Sequence, residues 1–218
     1  MSQKFNLVTK KQLLEIISLS RNKSDPKYLD FFLLWENFIF NYANDNIVFI
    51  NSQTENFKDA AFRYSFTFFD QNLTLIFDIQ RILKQISNHS IRYTILNSEI
   101  MHNNYSYTKE NTCYFSENIS TFPVLVYFPT ELAEYLVIDG NHRVTSFIQQ
   151  HKTFNFHLIK PNDLYLGCFF NLYSWIIYQF YVNYYGIHEY DFKFYNQFLK
   201  RNKEMLNSVA NILQDQLK

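Results

Sequence analysis

One glycine constrains this chain more than any other residue. Gly140 is one of three in the whole sequence, with Gly167 and Gly186. It stands where an apolar run, Tyr135-Leu136-Val137-Ile138, gives way to a helix-compatible run, Val144-Thr145-Ser146-Phe147-Ile148. The pattern predicts a strand, a tight turn and a helix start, with a positive φ or a close approach at the turn. A helix that opens there points its first N–H groups and its partial positive charge at the turn. His142 and Arg143 add donors at the same spot. Backbone N–H groups, an imidazole and a guanidinium converging at a helix N-terminus make an anion site, and phosphate is the commonest anion to need one. The competing reading makes Asp139-Gly140 a hairpin turn and leaves His142 and Arg143 solvated.

The flanking residues extend the unit. Phe122-Pro123-Val124-Leu125-Val126-Tyr127-Phe128 reads as a second strand, joined to the first by Pro129-Thr130-Glu131-Leu132-Ala133-Glu134. Residues 91–96 read as an earlier strand, and Phe154-Asn155-Phe156-His157-Leu158-Ile159 alternates as a later one. N-terminal to these, residues 9–20 and 28–42 carry helical apolar spacing, the first after a Thr9 cap and the second after Ser24-Asp25-Pro26. Residues 47–50 are short and apolar enough for a strand, residues 57–69 fit helix or strand, and 73–87 carry helical spacing. Residues 102–118 form a long polar stretch that suits a lid. Residues 164–187 run without a charge, which suits a buried or subunit-facing helix capped by Gly186 better than a membrane span. A last helix is expected within 189–218, and its cluster Lys200-Arg201-Asn202-Lys203 suits a solvated face.

With the strand, the Asp-Gly-Asn-His-Arg turn and the helix in place, the chain resembles the ParB/sulfiredoxin-like superfamily over about residues 94–157. That family's signature is a strand ending in a Gly-x-x-Arg or Asp-Gly-x-His-Arg turn that opens a helix and holds nucleotide phosphates. Asn141 stands where sulfiredoxins carry their reactive cysteine, and Cys113 and Cys168 lie well outside the motif, so sulfur chemistry is not implied. The Gly-Glu-Arg-Arg turn and helix-turn-helix of chromosome-partitioning ParB proteins have no counterpart here. The nearer likeness is to the Asp-Gly-x-His-Arg branch, which includes free serine kinases and many bacterial ParB-like proteins. The resemblance implies an α/β (α+β) fold: a small mixed sheet within residues 91–160, a mainly helical region 1–90 packed on it, and C-terminal helices in 161–218, as one composite unit.

The resemblance also implies a site. Gly140, Asn141 and His142 would cradle a phosphate through their backbone, Arg143 would neutralise it, and Thr145 and Ser146 would donate further hydrogen bonds from the first helical turn. Asp139 would hold a magnesium ion or orient an attacking hydroxyl, and Glu99, just after the first core strand, would be the general base. The cofactor implied is Mg²⁺ with ATP or another nucleoside triphosphate. The function is then nucleotide binding, with phosphoryl transfer to a small hydroxyl compound or triphosphate hydrolysis. A catalytically silent nucleotide-gated module that contacts a small-molecule or protein partner, and a ParB-like DNA-binding or nuclease protein, are the alternatives.

Composition narrows this further. Lys plus Arg and Asp plus Glu both number 20, a formal charge of zero, which argues against a nucleic-acid backbone as the main partner. Two cysteines at unrelated spacing form neither a zinc pattern nor a disulfide framework. His151 and His157 have no partner at metal-ligand spacing. The N-terminal residues lack an apolar signal core, so a cytoplasmic setting is expected. A homo-oligomer stays open. Arg143 and His142 are expected to serve anion binding and not stability.

Overall fold

The computed structural model describes residues 8–43, 61–101, 104–107, 122–189 and 192–216. The strand expected at 47–50 lies outside them, as do residues 102–103 and 108–118 of the lid expected over 102–118; its described residues 104–107 include a short strand instead. The fold is α+β with a small mixed sheet. Its contacts fall into two compact units, one from Met1–Gln53, Arg63–Ile76 and Phe169–Lys218, the other from Thr54–Phe62 and Phe77–Cys168.

In the first unit, α1 (Lys10–Asn22) opens on a capping box in which Thr9 and Gln12 satisfy each other's backbone N–H groups. Helix α2 (Leu29–Tyr42) follows a short 3-10 turn at Pro26–Tyr28 and is held to α1 by the Arg21–Glu36 ion pair at 2.8 Å. Strands β1 (Ala61–Phe68) and β2 (Gln71–Asp78), which belong to this unit over Arg63–Ile76, form a hairpin closed at Phe69 and Asp70, both at positive φ (47° and 60°). Residues 73–78, expected to be helical, are therefore strand. Leu73, Leu75 and Phe77 share one face of the strand, while Leu75 and Ile76 also continue the helical spacing of Ile79, Ile82, Leu83 and Ile86, and the turn lacks the Asn-Gly that would have marked it. Helix α5 (Leu172–Glu189) is buried throughout residues 172–182, and Gly186 lies inside it instead of capping it. No helix among the described residues is long and apolar enough to cross a membrane. Helix α6 (Tyr195–Gln216) completes the unit, its Tyr195 hydroxyl accepting the Phe31 N–H at the start of α2. Phe31, Trp35, Trp175 and Phe180 form the centre of the aromatic core, with Phe31 stacked on Phe180 at 5.8 Å.

In the second unit, α3 (Ile79–Ser87) starts on an Asp78 cap. A five-stranded sheet follows, built from β3 (Thr94–Asn97), β4 (Tyr105–Ser106), β5 (Val124–Tyr127), β6 (Tyr135–Asp139) and β7 (Asn155–Ile159) in the order β3-β7-β5-β6-β4. The pairs β3·β7 and β5·β6 are antiparallel, and β5·β7 and β4·β6 are parallel. Helix α4 (Asn141–Gln149) follows the Gly140 turn and buries Val144, with Phe147 and Ile148 beside it, against Leu125, Val137, Phe156 and Leu158. Alternation sends Val124, Val126, Leu136, Ile138 and His157 to the other face.

Glycine scarcity shows at the helix ends. Helices commonly finish on a left-handed glycine, but α3 and α4 finish on His89 and His151, both at φ 53°. The Ser90 N–H reaches the Gln85 carbonyl at 2.8 Å, and the Lys152 N–H reaches the Phe147 carbonyl at 2.9 Å. His151 thus has a backbone task. Histidine tolerates this conformation better than most side chains.

Candidate functional site

The end of β6 is where chemistry concentrates. Gly140 sits at φ 84°, ψ 24°, the left-handed region its sequence setting required, and it is the N-cap of α4 with no side chain to offer as a cap. The first i→i−4 bond of α4 runs from the Val144 N–H to the Gly140 carbonyl at 2.9 Å. The N–H groups of Asn141, His142 and Arg143 lie ahead of it and face the turn, at the positive end of the helix dipole.

Arg143 does not project into solvent. Its Nη2 donates to Asp139 Oδ2 at 2.6 Å, an i,i+4 ion pair in which the arginine side chain is 12% exposed and the aspartate 23%. The guanidinium lies directly over Gly140: a Cβ on that residue would come within 2.8 Å of Arg143 Nη2 and 3.0 Å of Pro123 Cβ. The close approach that glycine permits here is made by the chain's own arginine. Arg143 and His142 were expected to serve anion binding and not stability; the structure gives Arg143 an intramolecular partner that joins the strand end to the helix start.

The remaining expected residues divide. Asn141 is buried, and its amide donates back to the Val137 carbonyl at 3.4 Å, so its side chain fastens α4 to β6. His142 is half-buried on the first turn. Because α4 begins at Asn141, Thr145 and Ser146 fall in its second turn. Thr145 is 2% exposed and its hydroxyl donates to the Asn141 carbonyl at 2.9 Å, while Ser146 accepts from Gln150. Neither side chain is aimed at the turn. Glu99 follows β3, and the register does bring the ends of β3 and β6 to the same end of the sheet. Two strands intervene, so β3 and β6 are three strand spacings apart laterally, about 14 Å, and Glu99 stands four residues beyond Ile95, the β3 residue level with Asp139. The Glu99 side chain is exposed there, and its backbone N–H is held by Asn97 Oδ1 at 2.9 Å.

The structure adds residues outside the motif. His157, on β7, is paired in register with Val124, which is in turn paired with Asp139. Its N–H donates to the Pro123 carbonyl at 2.9 Å. The ring sits edge-on to Tyr93 at 4.6 Å and tilted against Phe122 at 5.2 Å. Burial lowers the pKa of His157 below the ordinary imidazole value, and the nearby Arg143 charge acts in the same direction. The sequence signal was a polar residue at an outward-facing position of an alternating strand, a signal that cannot name its neighbours.

Comparison with family models, with curated proteins and with solved structures finds no match for this chain.

Proposed function

We propose that this protein binds a nucleoside triphosphate, with the phosphates seated at the opening of α4. The observation that supports the reading is the convergence on one point of a left-handed glycine, the positive end of α4 and the Arg143 guanidinium. A helix start with a guanidinium over it attracts a multiply charged anion more strongly than either feature alone. In the unliganded chain Asp139 holds the arginine in place. An entering phosphate competes with that carboxylate for Arg143, so binding exchanges an internal ion pair for one with the ligand.

Magnesium carried by a triphosphate takes its ligands from phosphate oxygens, water and one or two carboxylates. Asp139 supplies a carboxylate of that kind, and the described residues contain no group of three or more ligating side chains that would make a separate metal centre. The ion would neutralise phosphate charge. The balanced net charge disfavours a nucleic-acid partner, and a nucleotide-dependent role suits a cytoplasmic setting.

The test is thermal shift and equilibrium binding with ATP, CTP, GTP and ADP, with and without Mg²⁺, because a ligand that binds the folded state alone raises Tm. A rise with at least one nucleotide, with affinity lost about tenfold or more in Arg143→Ala, is the expected result. No shift with any of them rejects the reading.

The common orientation of the β3 and β6 ends favours a second reading, phosphoryl transfer to a small hydroxyl compound. Glu99→Gln would then keep nucleotide affinity and lower turnover about a hundredfold. Equal turnover in both proteins removes Glu99 from the chemistry.

A further inference from the structure

We propose that Phe122, His157 and Tyr93 form a ledge on which the planar base of the nucleotide stacks, so that the site takes a nucleotide in preference to a bare polyphosphate. The inference rests on the phosphate reading above and assigns the other half of the ligand.

Its basis is the continuity of the surface. Pro123 touches the Gly140 turn, and Phe122 is the next residue back along the chain. Phe122 is 37% exposed and lies against His157, which lies against Tyr93. Ile95, cross-strand from His157 on the edge strand β3, is 53% exposed and extends the apolar surface. On the helix-covered face Tyr105, Phe154 and Phe156 are drawn into the core, whereas in this row Phe122 is exposed and Tyr93 and His157 are only half-buried. The distance suits the ligand. From Asp139 to His157 is two strand spacings, about 10 Å, which the ribose and phosphates of a nucleotide bridge.

The chemistry of the ring row suits it as well. His157 Nδ1 is buried with no hydrogen-bond partner. An imidazolium would need acceptors for both ring nitrogens, so this setting favours the neutral ring. A neutral ring beside Arg143 offers a flat, uncharged surface that stacks on a base without adding to the charge at the phosphates. Stacking of this kind is tolerant of base identity, since every base presents a π-face.

The experiment compares ATP, CTP and GTP with inorganic tripolyphosphate, each with Mg²⁺, by calorimetry on the full chain. At least one nucleotide is expected to bind tenfold or more tightly than tripolyphosphate, in line with the usual worth of a stacked base. Phe122→Ala, a change at an exposed position, should remove most of that preference and leave tripolyphosphate affinity within about twofold. In Phe122→Trp the indole emission should be quenched by the preferred nucleotide and not by tripolyphosphate. If nucleotides and tripolyphosphate bind equally, or if Phe122→Ala weakens both alike, the ledge is rejected while the phosphate site stands. If no anion binds, the phosphate reading fails and takes the ledge with it.

Discussion

The aromatic unit and the sheet unit bury polar groups for different reasons. In the first, residues 172–182 of α5 are buried and carry no charge, and polar groups near them meet backbone needs. Asn171 accepts the Ser174 N–H, Ser174 accepts the Ile76 N–H, and Asn183 donates to the Gln179 carbonyl. Packing and backbone satisfaction account for these residues. In the second unit, Asp139, His142, Arg143 and His157 gather at one sheet end, and Arg143 is largely covered. Part-buried charges cost desolvation that their pairing only partly offsets, so stability alone does not explain why they are there. Arg143, at 12% exposure, is more deeply covered than either member of the Arg21–Glu36 pair of the first unit, and that difference is what the proposed site at the sheet end rests on.

The sharpest way to break that contrast is to damage each unit and ask which property changes. Trp35 is fully buried among Phe31, Phe38, Trp175 and Phe180. Trp35→Ala is expected to cost about 3–5 kcal/mol and to lower Tm on the order of ten degrees, with nucleotide affinity of the folded protein unchanged in calorimetry at low temperature. A loss of affinity without unfolding would show that the aromatic core also shapes the site.

Gly140→Ala comes next. Its backbone conformation disfavours any side chain, and its Cβ would press on Arg143 and on the rigid Pro123 ring. The expected cost is about 1–3 kcal/mol by urea denaturation. Nucleotide binding should fall with it, because the guanidinium must move. A variant that is as stable as the parent and binds equally well would reduce the turn to an ordinary connection.

These positions show what the sequence discloses. Gly140 was legible because a lone glycine between a strand pattern and a helix pattern marks a tight turn with a left-handed residue, and the caps at Thr9 and Asp25 are local enough to read directly. The hairpin of β1 and β2 was not legible, since Phe69-Asp70 lacks a turn signature and the apolar spacing fits two periods. The ion pair between Asp139 and Arg143 was hidden because each residue, taken singly, suits a ligand as well as it suits the other. The ring row was hidden because Tyr93, Phe122 and His157 come from three separate segments and meet only through strand order.

The Asp139–Arg143 pair itself makes a smaller test. Arg143→Ala and Asp139→Asn should each destabilise the ligand-free protein by roughly 1–2 kcal/mol, and the double variant by less than their sum, since either change alone leaves a part-buried charge without its partner. The two differ in binding: Arg143→Ala loses nucleotide affinity, whereas Asp139→Asn frees the arginine and should keep or raise affinity for tripolyphosphate without metal. Additive stabilities would mean that the pair is incidental to the turn.

The smallest expected effect is a dependence on pH, and it compares one histidine from each unit. His157 and His188 both have lowered pKa values, chiefly through burial, with Arg143 adding to the shift at His157 and Lys27 at His188. A base held below its unfolded value stays neutral in the fold while the unfolded chain takes up a proton. Stability is therefore full above the ordinary imidazole value near 6.5 and declines as pH falls from there toward the lowered folded values. His188 is exposed and its ring rests on Tyr28 and Tyr184, so solvent screens its share. His157→Asn should flatten the acid-side decline in Tm more than His188→Asn does. Nucleotide should act on His157 alone: phosphate charge beside Arg143 offsets the field that opposes protonation, so binding near pH 6 should take up a fraction of a proton, read from calorimetric heats in buffers of different ionisation enthalpy. The uptake should vanish in His157→Asn and persist in His188→Asn. Equal uptake in both variants would place the anion away from Arg143 and return the sheet end to a purely structural role.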